Sequence, residues 1–166
     1  MIYSIGTSNR SLSEFIATVQ QHQITCLVDV RTSPSSRLPW FNRSMIERWA
    51  ERASIYYRYE GTVLGGRSNL GIDHPRYIEA LDRIVDASTR ERVAIFCAEG
   101  DPRDCHRSFD ISAALLVRVG VVVRHIRRDD TLENSTATFA RTNPKALSEH
   151  LRQAISDFTD QNTLHF

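Results

Sequence analysis

The densest chemistry in the chain lies in one stretch, residues 97–108, CAEGDPRDCHRS. Two cysteines, a histidine and two arginines sit among acidic residues, between an apolar run and the start of a helical pattern. Four uses of such a stretch are open: a metal clip, a nucleophile loop, an anion cradle and a polar turn. Cys97 and Arg103 bracket five residues, the spacing of a phosphatase-type loop, in which amides and a helix N-terminus favour a thiolate. Glu99, Asp101 and Asp104 oppose that use, because they repel both thiolate and phosphate. Cys97 also directly follows the apolar VAIF and is equally a small buried core residue. Cys97, Cys105 and His106 offer three soft ligands, but an adjacent Cys-His pair seldom converges on one ion and no Cys-x2-Cys pair accompanies it. No metal site is therefore expected, and whether the chain uses a cofactor is left open by the residues. Asp29, Glu99 and His106 are the acid-base candidates. Arg107, in the first turn of the following helix, would join the free N–H groups there as a directional anion partner. Against this, Arg107 could instead pair with Asp101 or Asp104 on the surface.

These residues need a scaffold that carries them to one place. IYSI (2–5), TCLVDVR (25–31), SIYYRYE (54–60), RVAIF (92–96) and VVVRHI (121–126) read as strands. Helical spacing separates them: Leu12, Phe15, Ile16 and Val19 behind a Ser11/Glu14 capping box; Ile46, Trp49 and Ala50 within 43–53; Tyr77, Leu81, Ile84 and Val85 after Pro75; and 108–119, closed by Gly120. The alternation predicts an α/β, Rossmann-like fold in a single domain, 1–166, with a mostly parallel sheet of five or more strands flanked by helices. VVVRHI is taken as the last strand, a polar segment covers 129–142, and a terminal helix starts at Asn143 and Pro144 and runs to about residue 158. The stretch 61–75, GTVLGGRSNLGIDHP, has four glycines in 15 residues and reads as an irregular, mobile flap.

In a parallel sheet the strand carboxyl ends open onto the ligand crevice. One rim should then collect Ser8, Asn9 and Arg10 after the first strand, Asp29, Arg31 and Arg37 around the second, Gly65, Gly66 and Arg67 after the third, and Cys97, Glu99, Cys105, His106 and Arg107 after the fourth. Of the 21 basic residues only Lys145 is a lysine. A GC-rich genome explains such a bias without function, so the placement of arginines at strand exits carries more meaning than their number. Trp40 and Phe41 form either an exposed apolar lip or part of the core.

Composition limits the function classes. A net charge of +1 gives no general attraction to nucleic acid or membrane. No run of about 18 apolar residues is present, and MIYSIGTSNRS lacks a basic segment ahead of an apolar one. A cytoplasmic protein with no membrane partner is expected. Three cysteines, Cys26, Cys97 and Cys105, are a poor disulfide framework, so Cys97 and Cys105 should be reduced.

SIGTSNRSLSEFI, LVDVRTSPSSR, FN, LGG and CAEGDPRDCHRS, in this order over about residues 2–127, resemble the domain of unknown function 488 family. LVDVR and CAEG also resemble a rhodanese-like chain. The resemblance implies a small bacterial α/β protein with Ser8, Asn9, Arg10, Asp29, Arg31, Pro34, Arg37, Phe41, Asn42, Gly65, Gly66, Cys97, Glu99, Cys105, His106 and Arg107 on the family's motifs. The family often places histidine after the first glycine, where this chain has Thr7. Three functions follow as expectations. One is an enzyme on a phosphorylated, nucleotide or nucleic-acid-derived ligand, with Asp29 or Glu99 as acid-base, His106 as proton shuttle and Arg31, Arg37 and Arg107 as clamps. A second is a non-catalytic module binding an anionic small molecule or nucleic acid. The third is a rhodanese- or phosphatase-like thiol enzyme using Cys97.

Overall fold

The computed structural model describes residues 1–142, 145 and 149–163. The predicted alternation is present: β1 (Ile2–Gly6), α1 (Leu12–Gln21), β2 (Cys26–Asp29), α2 (Arg43–Arg52), β3 (Tyr56–Tyr59), α3 (Gly61–Leu64), α4 (Pro75–Arg90), β4 (Val93–Cys97), α5 (Ala113–Val119) and β5 (Arg124–Ile126). Ser11 caps α1 with the expected reciprocal contact to Glu14, and Gly120 ends α5 at φ +67°. Ahead of α5, Arg107–Ser112 is a π-helical turn rather than regular α-helix.

The sheet is α/β in class, with strand order β3-β2-β4-β1-β5-β6. The first five strands are parallel; β6 (Leu132–Asn134) is antiparallel to β5. The expectation that 121–126 is the last strand is corrected by β6 and by α6 (Ser135–Arg141), both inside the segment read as polar connection. Three residues of LEN, half or fully exposed at a sheet edge, carry no alternating apolar signal. The chain reverses there through Asp130, a left-handed residue at φ +62°. Asn143 and Pro144 lie outside the described residues; α7 is described over Glu149–Thr163.

The alternation of side chains along the strands divides the core between the two faces. Tyr3, Ile5, Leu27, Ala94 and Phe96 pack under α1 and α2. Phe15 is the hub there, with its ring edge-on to Phe41, Trp49 and Phe96 at 5.1, 5.8 and 5.4 Å. Each such pair adds roughly 0.5–1.5 kcal/mol beyond area burial. Phe41 is thus core rather than lip. Ile2, Cys26, Val28, Val93 and Ile95 face α4 and α5 on the other side. The loop after β2 therefore turns to one face and the loop after β4 to the opposite face. Between them lies a crevice at the strand carboxyl ends, the switch point where α/β sheets hold ligands.

The glycine-rich stretch is more structured than the four glycines suggest, because α3 occupies its start. A Cβ on Gly61 would lie 1.9 Å from the Arg31 carbonyl oxygen, so glycine stands there for close approach, not for looseness. No helix among the described residues is long and apolar enough to cross a membrane.

Candidate functional site

At the crevice, β4 ends in Cys97, and the turn that follows brings Cys105 and His106 back beneath it. Cys97 Sγ stands 4.0 Å and Cys105 Sγ 3.7 Å from His106 Nδ1, and one ligand atom from each residue lies within 4.8 Å of the others. The adjacent Cys-His pair, expected to diverge, converges. The tight π turn and the short Pro102–Asp104 helix before it swing both side chains to the same side. His106 Nε2 lies 3.1 Å from the Val30 carbonyl oxygen. A carbonyl only accepts, so Nε2 carries a proton; Nδ1 faces the sulfurs, donating to a Cys105 thiolate when the ring is charged and offering a lone pair when it is neutral. Gly66 holds the ring from the other side; a Cβ there would sit 2.9 Å from His106 Cγ.

The two sulfurs are not equivalent. All three cysteines are free thiols. A hydrogen bond from the Cys97 thiol, then the histidine, pull Cys105 well below the usual thiol range despite burial. The same bond to Cys105, with burial, pushes Cys97 up. Burial lowers His106, but its contacts with Cys105 and the Val30 carbonyl outweigh that and leave it raised. Thiolate character falls on Cys105, which sequence spacing passed over in favour of Cys97. Cys26, the third cysteine, is buried in the core and pushed up to about 11 by that burial.

Cys97, Cys105 and His106 line a cavity of about 430 Å³ together with Arg31, Arg67 and Glu99. The Glu99 and Arg67 side chains are exposed, and neither forms an ion pair among the described residues.

The other predicted arginines turn inward. Arg31 donates from Nε to Asp29 Oδ1 at 2.9 Å, from Nη2 to Oδ2 at 2.7 Å, and from Nη1 to the Phe41 carbonyl at 2.8 Å. Its guanidinium also stacks over Phe96, 4.7 Å from the ring centre. Asp29 is fully buried, and Tyr57 donates to it at 2.7 Å. Every lone-pair direction of that carboxylate is engaged, which makes the pair a brace for the end of β2. Arg107, 0 % exposed, donates to Ser4 Oγ and to the carbonyls of Glu99 and Gly100 at 3.2, 2.6 and 3.1 Å. It thereby clamps the 97–108 loop from beneath, with no nitrogen left facing the crevice. Arg10 holds Thr18, Asp130 and the Arg127 carbonyl. Ser8 lies apart, in a small recess with Gly100, Asp101 and Arg127, while Asn9 and Arg37 are exposed. Gly65 packs against Thr32, where a Cβ would come within 2.6 Å of its hydroxyl.

The model of the family described as Domain of unknown function DUF488 matches residues 11–77. Over this stretch the chain is similar to DUF488. The stretch supplies Arg31, Gly66 and Arg67 of the cavity lining. Cys97, Cys105 and His106 lie beyond the DUF488 match, on the 97–108 loop. No curated protein and no solved structure matches the chain.

Two groups near this site escaped the sequence reading. Tyr57 anchors Asp29 from β3, and Asp110, one turn after His106, is a half-buried carboxylate whose pKa burial raises. The i, i+4 relation of His106 to Asp110 was the available signal.

Proposed function

We propose that this protein is a metal-dependent enzyme whose centre is a zinc-class ion held by Cys97, Cys105 and His106, acting on a small phosphorylated or nucleotide-like substrate. The carrying observation is the convergence of two sulfurs and an imidazole lone pair. Bond lengths of about 2.3 Å to sulfur and about 2.0 Å to nitrogen make the edges of a tetrahedral site roughly 3.5–3.8 Å long. The Sγ to Nδ1 separations of 3.7 and 4.0 Å lie near that span. His106 also has the support usual for a ligating imidazole, a proton on the far nitrogen held by a backbone carbonyl. Two thiolates would balance the dipositive ion in a buried setting where unpaired charge is costly.

Three protein ligands leave a fourth position for reactants, as in catalytic rather than structural zinc sites. A zinc ion supplies Lewis acidity and a water acidified toward neutrality. Glu99 is the carboxylate placed to move a proton at the cavity wall. Arg67 offers the guanidinium with unspent donors, so substrate anion recognition is assigned to it rather than to Arg31 or Arg107.

Titration of the metal-free protein with zinc against a competing chelator tests this reading. One ion should bind per chain, and Cys97→Ser, Cys105→Ser or His106→Ala should each weaken binding by about 100-fold, while Cys26→Ser changes nothing. Equal affinity in wild type and Cys105→Ser would overturn it. Polarisation of Cys105 by Cys97 and His106 favours a second reading, thiol catalysis in the same cavity. In that case iodoacetamide should modify Cys105 rapidly and zinc should not protect it.

A further inference from the structure

A second cavity, of about 540 Å³, lies on the other side of the 65–73 segment, and Gly66 lines both. Its apolar surface comes from Leu64, Leu70, Ile72 and Leu151, and its polar groups include Tyr77 and Asp110. Neither of these two is satisfied internally. Tyr77 is 3 % exposed, yet its buried hydroxyl has no hydrogen-bond partner. The Asp110 carboxylate is half-buried and makes no hydrogen bond or ion pair among the described residues. A buried polar group normally finds a partner, because leaving it bare costs about 1–3 kcal/mol. The Tyr77 hydroxyl is such a group, and the half-buried Asp110 carboxylate on the same cavity also lacks a protein partner among the described residues, so together they form a recognition feature.

The complement follows from their chemistry. An ionised carboxylate accepts only, and the phenol oxygen can accept as well as donate. Donors on the ligand, preferably cationic or paired, would satisfy both. The apolar walls call for a body without charge.

We infer that this cavity binds an amidine-like N–H edge on a flat apolar body, as an amino-substituted heterocycle presents, with Asp110 taking the donors and Tyr77 completing the contact. The site stands whether or not zinc binds next door. Its link to catalysis, as the pocket for the nitrogen-rich part of the substrate, rests on the proposed function. Asp110 lies one helical turn beyond His106, and the electrostatic influence of His106 reaches it. One molecule could thus set its anionic end by Arg67 and its heterocycle against Asp110.

Benzamidine is the probe, with benzoate as the same ring bearing the opposite charge. Calorimetry on the full chain should show saturable benzamidine binding and none for benzoate. Asp110→Asn should weaken benzamidine about tenfold or more, and Tyr77→Phe by a smaller factor of about three. Cys105→Ser, which abolishes the proposed zinc site, should leave benzamidine affinity unchanged; this separates the two readings. Equal binding of the two probes, or no loss in a folded Asp110→Asn, would overturn the inference. If either variant melts early, amide shift changes on adding benzamidine to wild type decide instead: centred on residues 64–77, 110 and 151 they support the site, and elsewhere or absent they refute it.

Discussion

Arg107 decides how the 97–108 loop keeps its shape. Its guanidinium is wholly buried and spends its donors on one hydroxyl and two carbonyls. Hydrogen bonds from a charged donor are worth roughly 1.5–3 kcal/mol each, although part of that offsets the cost of burying the charge. Arg107→Ala should therefore lower unfolding free energy by about 3 kcal/mol or more, measured by urea titration. Arg107→Lys should recover only a fraction, because one ammonium cannot span three acceptors in a fork. A stable Arg107→Ala protein with weakened phosphate binding would instead make Arg107 an anion ligand. Arg31 behaves the same way: its pairing with Asp29 turns two nominal site residues into a brace. Sequence could locate these arginines at strand exits but not the direction of their side chains, since a rim arginine and a buried one have the same spacing.

At the scale of elements, the π turn and the glycine-rich segment meet at His106 from opposite sides. Gly66 and Gly71 belong to the same stretch, yet a Cβ on Gly66 would strike the imidazole whereas one on Gly71 would meet nothing within 4 Å. Gly66→Ala should cut zinc affinity by about 10–100-fold, as when the support of a metal ligand is disturbed. Gly71→Ala should leave it unchanged; the same chelator competition reads both, and equal affinities would show that Gly66 does not position His106. The alternation of strands and helices, the Ser11 cap and the Gly120 stop were legible because each rests on local periodicity or a single residue's backbone preference. What stayed hidden depended on distant partners. β6 is three weakly apolar residues defined by pairing with β5. The glycines at 61, 65 and 66 read as looseness but serve close packing, which only the facing atoms reveal. The sulfur-imidazole convergence needed the helical turns between Cys97 and Arg107, and no pattern of residue types predicts those.

For the molecule as a whole, the sheet centre holds a polar line that sets the response to acid. Ser4 Oγ is hydrogen-bonded to His125 Nδ1 at 2.6 Å and accepts from Arg107, and His125 is fully buried. Burial, then the charge of Arg107, push His125 down to about 3, against an ordinary value of 6.5. The unfolded chain therefore takes up a proton between those values that the native state refuses, and stability falls as pH drops through the window. The slope should approach about 1.4 kcal/mol per pH unit once well below the unfolded value. Asp101, held down to about 2 by Arg141, adds its own loss only below the ordinary carboxylate value of 3.8. Cys105 and His106 also titrate in this range, so wild type and His125→Asn are compared by urea titration between pH about 6.5 and about 4.5, and the flatter slope expected of the variant isolates His125. An unchanged slope would place the linkage elsewhere. The strand order has a separate, temporal consequence. β4 inserts between β1 and β2, which do not touch each other. During synthesis the first strand must wait, unjoined to the β2–β3 pair, until residues 93–97 have emerged. The family-matched stretch, residues 11–77, holds only the β2–β3 pair of this sheet. Such late, long-range zipping is slow relative to folding through local contacts. The strand that joins β1 to β2 also delivers Cys97, so the middle of the sheet and the first member of the sulfur-imidazole cluster come into place in one step.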